Sequence, residues 1–587
     1  MHIERPRQVD LVVVGAGIYG IQAARTYLEV HPKSKVVILE ASTTIGGVWS
    51  RDRVYEDFWT QTPVGILEFS SRPIHEIPDS DKYHGFFKAK HVTSYLEEYC
   101  RDQQYDNKSI DSRIRFGTSV QEISKHGPWW TVRAGENGEV EFQAPQIIDA
   151  TGLTSTPNCP DLPDRESFKG RILHHKDFAK FEAELKAEEV TNVVVIGGAK
   201  SAADVAYSCA KAGHKVSWII RKSGSGPAAF VSAKGSMGYA NSNESFYTRL
   251  TSLFLVSLFA LQMGYLRILN WLNRTRVGQS LLQSAWKRIN ARACKEADYD
   301  REDGQANGFH NLEPDTELFW QNDSTGINQR EDFFDVIAKH VKVFRQDISG
   351  MDEHVVILQD SDHTLVRADV VICATGWRDQ VSYFDDETSY ALGLPANHRP
   401  AADSRWTQLM RAADEDVAKQ FPILDSKWAR SQKAFQPFDA PEQPQFRLWK
   451  SMVPSNDHSI VFLGRLMLGN HFRASEVQAL FAVAVLDGAI KSPLKEDMES
   501  DIARTLAWFR RRYLKKGQRG NWFYWDMVPY TDMLLSEMGL RSHRSKFWLR
   551  DLTRPCYARD LRGLIEEYVK KRDSQRERHT SNASTKL

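Results

Sequence analysis

One pattern occurs twice in this chain and limits what it can fold into. Near the N-terminus the sequence reads DLVVVGAGIYGIQAARTYLEV, and from Thr191 it reads TNVVVIGGAKSAADVAYSCAKAG. Each copy is a short β-branched run, a glycine turn and a stretch with helical periodicity. A continuous apolar run of this length suits a strand buried on both faces, as in parallel sheets covered by helices. A second such strand follows each helix: KVVILE, ending in Glu40, and KVSWIIRK, ending in Arg221 and Lys222. Two strand–turn–helix–strand units predict an α/β fold with two Rossmann-like dinucleotide-binding domains.

In the first unit Gly15, Gly17 and Gly20 occupy the G-x-G-x-x-G positions. Gly15 makes the tight turn, Gly17 lets backbone approach a pyrophosphate, and Gly20 lets helix pack on strand. The helix N-terminus then faces the phosphates. Glu40 follows about 20 residues later, where a carboxylate accepts from ribose hydroxyls. In the second unit Gly197, Ala199 and Ala202 take the three positions, and Lys200 and Ser201 open the helix beside the same phosphate site. Ala199 adds a methyl group where the rule has glycine. The strand ends differ in charge. An acid favours a free 2′-hydroxyl, whereas a guanidinium favours a 2′-phosphate through paired, charge-assisted hydrogen bonds. The first unit therefore suits FAD and the second NADPH. A solvated strand-end charge is the alternative for Arg221.

The remaining segments organise around these units. RIRFGTSVQEIS and WWTVRAG alternate as antiparallel strands of a β-meander. Two strand-like runs end in Asp149-Ala150-Thr151-Gly152 and in Ala374-Thr375-Gly376. These ATG junctions mark crossings between the nucleotide domains and put Thr151, Gly152, Thr375 and Gly376 near the cofactors. SIVFLGRLMLGNHFRASEVQALFAVAVLDG predicts a strand, a turn at Gly464 and a helix opening near Ser475 and Glu476. The expected division is an FAD domain over 1–170 and 376–495 and an NADPH domain over 171–375, with a helical insertion around 224–311. A helical C-terminal extension over 496–570 and a disordered, polar and basic tail over 571–587 follow.

Four motifs in order carry a family resemblance. IGGVW resembles a GGxW segment after the FAD acid, which adds Gly47 and Trp49 to the cofactor contacts. SFKGRILHHKDF fits the pattern FxGxxxHxxx(F/Y) with Phe168, Gly170, His174 and Phe178. Together with the two ATG junctions, these resemble the flavin-containing monooxygenases of the two-dinucleotide-domain kind, over about residues 8–490. The resemblance implies that NADPH reduces FAD, that reduced flavin adds O2 at C4a, and that the hydroperoxide gives one oxygen atom to the substrate. It implies that Gln61, in DFWTQTPVGILEFS, stands where the family presents an asparagine to flavin and nicotinamide. It makes His174 a positioning or hinge residue. A glutamine before a turn and a hydrogen-bonded linker histidine are the plainer alternatives. Similar microbial enzymes tailor secondary metabolites, which implies a lipophilic small-molecule substrate and heteroatom oxygenation, hydroxylation or epoxidation. Baeyer–Villiger relatives carry Trp followed by Pro or Asp where this chain has Phe178-Ala179. A Baeyer–Villiger monooxygenase and an NAD(P)H-flavin reductase or oxidase stay as rival readings.

Composition narrows the setting. The formal net charge of the 587 residues is +1, which gives no global argument for a nucleic-acid partner. Six cysteines are scattered without a CxxC or zinc-ligand spacing, and no secretory signal precedes the first apolar run. Free thiols in a reducing, cytoplasmic compartment and no metal site are expected, and a dithiol–disulfide flavoenzyme is disfavoured. The 16 Trp and 29 Phe suit a pocket for a flat or greasy ligand, with ordinary core as the alternative. Residues 250–266, LTSLFLVSLFALQMGYL, carry no charge and lie between Arg249 and Arg267. A buried helix, a helix docked on a membrane surface and a membrane span compete for this run.

Overall fold

The valine-rich runs Leu11–Val14 and Asn192–Ile196 are central strands, almost entirely buried, of two separate parallel sheets in the computed structural model. The structure describes residues 6–185, 189–320, 325–379, 381–396, 404–436, 444–490 and 493–584. The first sheet has the order Ile460–Phe462, Gln146–Asp149, Leu11–Val14, Val36–Leu39, Ile114–Arg115, with every pair parallel. The second has the order Arg171–His174, Val370–Cys373, Asn192–Ile196, Lys215–Ile220, Val341–Arg345, again all parallel. The chain leaves the first sheet after Asp149, builds the second, and returns to the first at Ile460.

The antiparallel meander consists of Val120–His126, Trp129–Ala134 and Val140–Ala144. Ile114–Arg115, expected in that meander, instead pairs parallel with Val36–Leu39 at the edge of the first sheet. Ile114 is buried there, so its apolar side chain joins the core of the parallel layer. Helix Ile18–Val30 packs against helix His471–Leu486. Almost every residue of the latter is buried, the mark of a helix enclosed on all sides. It opens four residues earlier than Ser475, because the Asn470 side chain accepts from the N–H groups of Phe472 and Arg473 and caps it.

The apolar run is not one helix. It breaks into a turn of helix at Arg249–Ser252, an irregular stretch with Val256 at φ +58°, a 3-10 turn at Phe259–Gln262 and the start of helix Leu266–Arg274. Leu255, Val256, Phe259, Ala260 and Met263 are buried. The C-terminal helix Lys495–Gly517 supplies the reason. Trp508 Nε1 donates to Val256 O at 2.9 Å and Arg512 Nε donates to Leu255 O at 2.8 Å, so the carbonyls are satisfied without helical bonds. Arg249 is buried and ion-paired with Asp532 at 2.7 Å and Asp551 at 3.3 Å. The run is therefore interior structure over most of its length, with Leu250 and Leu266 exposed at its ends, and it does not form one membrane-docking helix. No helix among the described residues is long and apolar enough to cross a membrane.

The C-terminal region is helical, with helices Lys495–Gly517, Met527–Glu537 and Leu564–Ser584. The last runs on through residues 571–584, where a disordered tail was expected; residues 585–587 lie outside the described residues. Leu564, Ile565 and Tyr568 bury its first turns in the core, and a helix once nucleated extends at little further cost.

Candidate active site

The first glycine turn is packed so tightly that only one of its faces is free. A Cβ on Gly20 would sit 1.9 Å from Gly15 O, and Gly15 itself has φ +98°. Gly17, which caps helix Ile18–Val30, is different: an added Cβ would find only Gly47 Cα, at 3.8 Å. The free face over Gly17 is the place for a pyrophosphate. The GGxW segment forms its rim, since Gly46 bridges to Gly17 and Gly46 N–H donates to Ala16 O at 2.9 Å. Glu40 is buried at the end of strand Val36–Leu39, accepting from Ala16 N–H at 2.7 Å and Ser42 N–H at 2.8 Å. Each carboxylate oxygen keeps a lone pair for a ribose hydroxyl. From Trp49 a run of rings leads away: Trp49 stacks on Phe58, Phe58 on Tyr55, and Tyr55 meets the edge of Phe178 at 4.9 Å.

The two ATG junctions are tied down by buried polar groups. Asp149, wholly buried, accepts from Thr151 Oγ1 at 2.9 Å and pairs with Arg465 at 2.9 Å, and Tyr383 donates to it. Arg465 also donates to Gly152 O at 2.8 Å. At the second junction Thr375 Oγ1 donates to Asn158 O at 2.5 Å, and Gly376, at φ +85°, has open space where a Cβ would be. His174 sits opposite Cys373 in the neighbouring strand. Lys176 N–H donates to its Nδ1 at 3.2 Å, which leaves the proton on Nε2 to donate to Gly376 O at 3.0 Å. Burial lowers the pKa of His174, and burial beside it pushes His175 down to about 3. Both are neutral imidazoles against Trp377, with ring centroids 5.0 and 5.1 Å away. His174 is thus hydrogen-bonded at both ring nitrogens, tying the linker strand to the junction.

Gln61 bridges the two halves. Its Oε1 accepts from Ile327 N–H at 2.7 Å, and its backbone carbonyl accepts from Asn243 Nδ2 at 2.8 Å. Its Nε2 is buried with no hydrogen-bond partner. An amide donor held this way fits a carbonyl acceptor on a bound cofactor. Strand Gly326–Asn328 and the residues after it clamp the same segment from one side. Gln329 Nε2 donates to Thr60 O at 2.8 Å. Arg330 donates to Asp57 O at 2.5 Å, pairs with Asp57 at 3.1 Å and with Asp204 at 2.7 Å, and lies over the Tyr207 ring. Asp204 belongs to helix Lys200–Lys211 of the second unit, so Arg330 joins the segment carrying Gln61 to the second nucleotide turn. Against the desolvation of burial, Asp204 and Asp57 hold the Arg330 pKa above its usual value. Asp57, Asn243, Asp204, Gln329 and Arg330 were not singled out in the sequence. The Arg330–Asp57 pair spans 273 positions and no local pattern announces it.

In the second turn Gly197 has φ +138°, and a Cβ there would meet Ala374 O at 2.3 Å, so the turn packs directly on the ATG junction. Ala199 caps helix Lys200–Lys211 in an extended conformation, and Ser201 lies half-buried in the first turn. Lys200 turns inward, bonded to Asp204 and covered by Gly326, and burial lowers its pKa to about 8. Arg221 and Lys222 are exposed just past strand Lys215–Ile220.

A family model described as pyridine nucleotide-disulphide oxidoreductase matches residues 12–233. All six cysteines are free, so the likeness lies in the nucleotide turns and not in a redox disulfide. The FAD-dependent monooxygenase resA of Aspergillus sclerotiorum is 31% identical over 95% of this chain and 98% of its own length. The chain belongs to the FAD-dependent monooxygenases. Another member, rstn6 of Aspergillus nomiae, is 30% identical over 96% of this chain and 98% of that protein. Among solved structures, closed cyclohexanone monooxygenase covers 92% of this chain and 99% of its own, with a TM-score of 0.58 at 16% identity. The Tmm of a Pelagibacter species covers 90% and 86%, with a TM-score of 0.52 at 17% identity. These structures share the fold with two dinucleotide-binding domains. FAD is the cofactor of this flavin monooxygenase, and the open face over Gly17 and the orphan donor of Gln61 both fit it.

Proposed function

We propose that this FAD-dependent monooxygenase draws its electrons from NADPH and places one oxygen atom of O2 on a lipophilic small molecule. The observation that carries the NADPH reading is the contrast between two equivalent strand ends. Behind the first turn stands Glu40, buried and held by backbone N–H groups. Behind the second stand Arg221 and Lys222, exposed and free to meet a 2′-phosphate. FAD bound on the first sheet supplies hydride acceptance and oxygen activation. This chain's own residues bind and orient: Glu40 the ribose, Gly17 the pyrophosphate, Arg221 and Lys222 the nicotinamide dinucleotide. Gln61 presents its amide N–H between the two units, and His174 keeps the junction at Gly376 in register. The junctions after Asp149 and Cys373 would divide the chain into the FAD unit, the NADPH unit and the returning FAD segment. The substrate class rests on the family resemblance, and oxygenation without ester formation rests on Phe178-Ala179.

The test is steady-state oxidation of NADPH and NADH by wild type and Arg221→Ala. Losing charge-assisted bonds to a 2′-phosphate costs roughly 1.5–3 kcal/mol. The KM for NADPH should rise about tenfold or more, while that for NADH should barely move. Equal losses for both would remove Arg221 from the cofactor site. Product analysis that finds an ester or lactone from a ketone would replace the proposed outcome by Baeyer–Villiger oxidation.

A further inference from the structure

Eight of the fifteen large hydrophobic side chains that stand exposed among the described residues fall in two short segments. Leu266, Ile268 and Trp271 lie on helix Leu266–Arg274, with Val277 and Leu281 at the start of helix Arg276–Ala297. Phe547, Trp548 and Leu549 form the second group, and Phe547 and Trp548 are 70% and 71% exposed. The segments adjoin. Tyr265 meets the edge of the His543 ring at 5.9 Å, and His543 Nδ1 lies 2.6 Å from Asp551 of helix Trp548–Thr553. Beneath them Arg249 pairs with Asp551 and Asp532 and donates to Ser542 O at 2.6 Å. The apolar tips therefore stand on a tied base. Exposed aromatic residues held out in this way mark an interaction site.

Charge identifies the partner. The chain as a whole is balanced at +1. Residues 265–292 nevertheless hold six Arg or Lys and no acid, and residues 541–562 hold seven Arg or Lys against Asp551 and Asp560. Asp551 is spent on Arg249 and His543, and Asp560 on Arg554. Lys546 and Arg550 flank the Phe-Trp-Leu tip directly and are exposed. An aromatic tip rimmed by cations matches the boundary between acyl chains and anionic headgroups. The rings sit at headgroup depth there, and long cationic side chains reach the phosphates.

We infer that the face formed by residues 266–281 and 546–550 docks on an anionic phospholipid surface. Docking is peripheral, and of the run 250–266 it uses only Leu266, the exposed last residue. It goes beyond the catalytic reading and does not depend on it.

The test is sedimentation of the FAD-loaded full chain with vesicles of phosphatidylcholine alone and of phosphatidylcholine with phosphatidylserine at about three to one. The protein should pellet with the mixed vesicles, stay in solution with the neutral ones, and be released at about 1 M salt. Phe547→Ser/Trp548→Ser/Leu549→Ser and Lys546→Glu/Arg550→Glu should each weaken binding by about tenfold or more. Trp129→Ser, at an exposed tryptophan on the meander, should not. Retained FAD and an unchanged circular dichroism spectrum would show that the variants fold. Wild-type protein left in the supernatant overturns the inference. So does a Phe-Trp-Leu variant that pellets like wild type, and so does stronger capture by heparin or RNA that ignores the aromatic tip. Those last two results would make the face a polyanion site.

Discussion

Gln61 is placed to do two jobs, and substitutions can separate them. Its Oε1 accepts from the buried Ile327 N–H, and its Nε2 is a buried donor without a partner. Gln61→Ala removes both. The Ile327 N–H is left unpaired, at a cost of about 1–3 kcal/mol in stability. Loss of the Nε2 donor has a similar magnitude, and any step relying on it should change about five- to 150-fold at 1.4 kcal/mol per decade. Gln61→Glu keeps an acceptor for Ile327 and loses the donor, so its stability loss should be smaller while its functional defect persists. Gln61→Asn retains the donor but draws back by one methylene from Ile327, and should lie between wild type and Ala. The assay is hydrogen peroxide released per NADPH consumed, beside FAD content and a urea midpoint. Ala and Glu should both raise the peroxide yield about fivefold or more with FAD retained. Wild-type coupling in Gln61→Glu would refute the donor role and leave Gln61 as an anchor for strand Gly326–Asn328.

Three further outcomes follow from the packing. Gly17→Val should fold and purify colourless, because its side chain enters only the open face, whereas Gly20→Ala should not fold, with Gly15 O at 1.9 Å from the new methyl; a yellow Gly17→Val protein would misplace the pyrophosphate. Arg249→Ala should cost about 3–5 kcal/mol in urea denaturation, since it breaks buried pairs with Asp532 and Asp551 and leaves only Arg473, at 3.5 Å, against the Asp532 carboxylate, and a loss under about 1 kcal/mol would contradict the buried-pair reading. His175 takes a proton near 6.5 when unfolded but only near about 3 when folded, so the stability it supports is full above pH 6.5 and is lost as pH falls toward 3. The slope should approach 1.4 kcal/mol per pH unit, about one proton's worth, and His175→Asn should flatten it; an unchanged acid limb would show that His175 titrates normally.

Both glycine turns, both central strands and both ATG junctions were legible because each is a local demand. A buried parallel strand needs an unbroken apolar run, and a turn at positive φ packed on a carbonyl needs glycine, whatever lies elsewhere in the chain. The different ends of the two units, Glu40 against Arg221 and Lys222, were legible for the same reason. The expected helix start at Ser475 failed narrowly, because the Asn470 cap is a single side chain that periodicity does not register.

What surrounds the site was decided only in three dimensions. Arg330, Asp57 and Asp204 meet because the return from the second unit crosses the segment carrying Gln61, and each is an ordinary charged residue in the sequence. Composition required most of the run 250–266 to leave water, and Leu253, Leu255, Val256, Leu258, Phe259, Ala260 and Met263 did. Its backbone path was set by Trp508 and Arg512, more than 250 positions away, which accept the duty of bonding its carbonyls. Hydrophobicity favours burial of such a segment. Whether it is buried as a helix or as an irregular strand of core depends on who bonds its peptide groups, and those partners come from the tertiary structure.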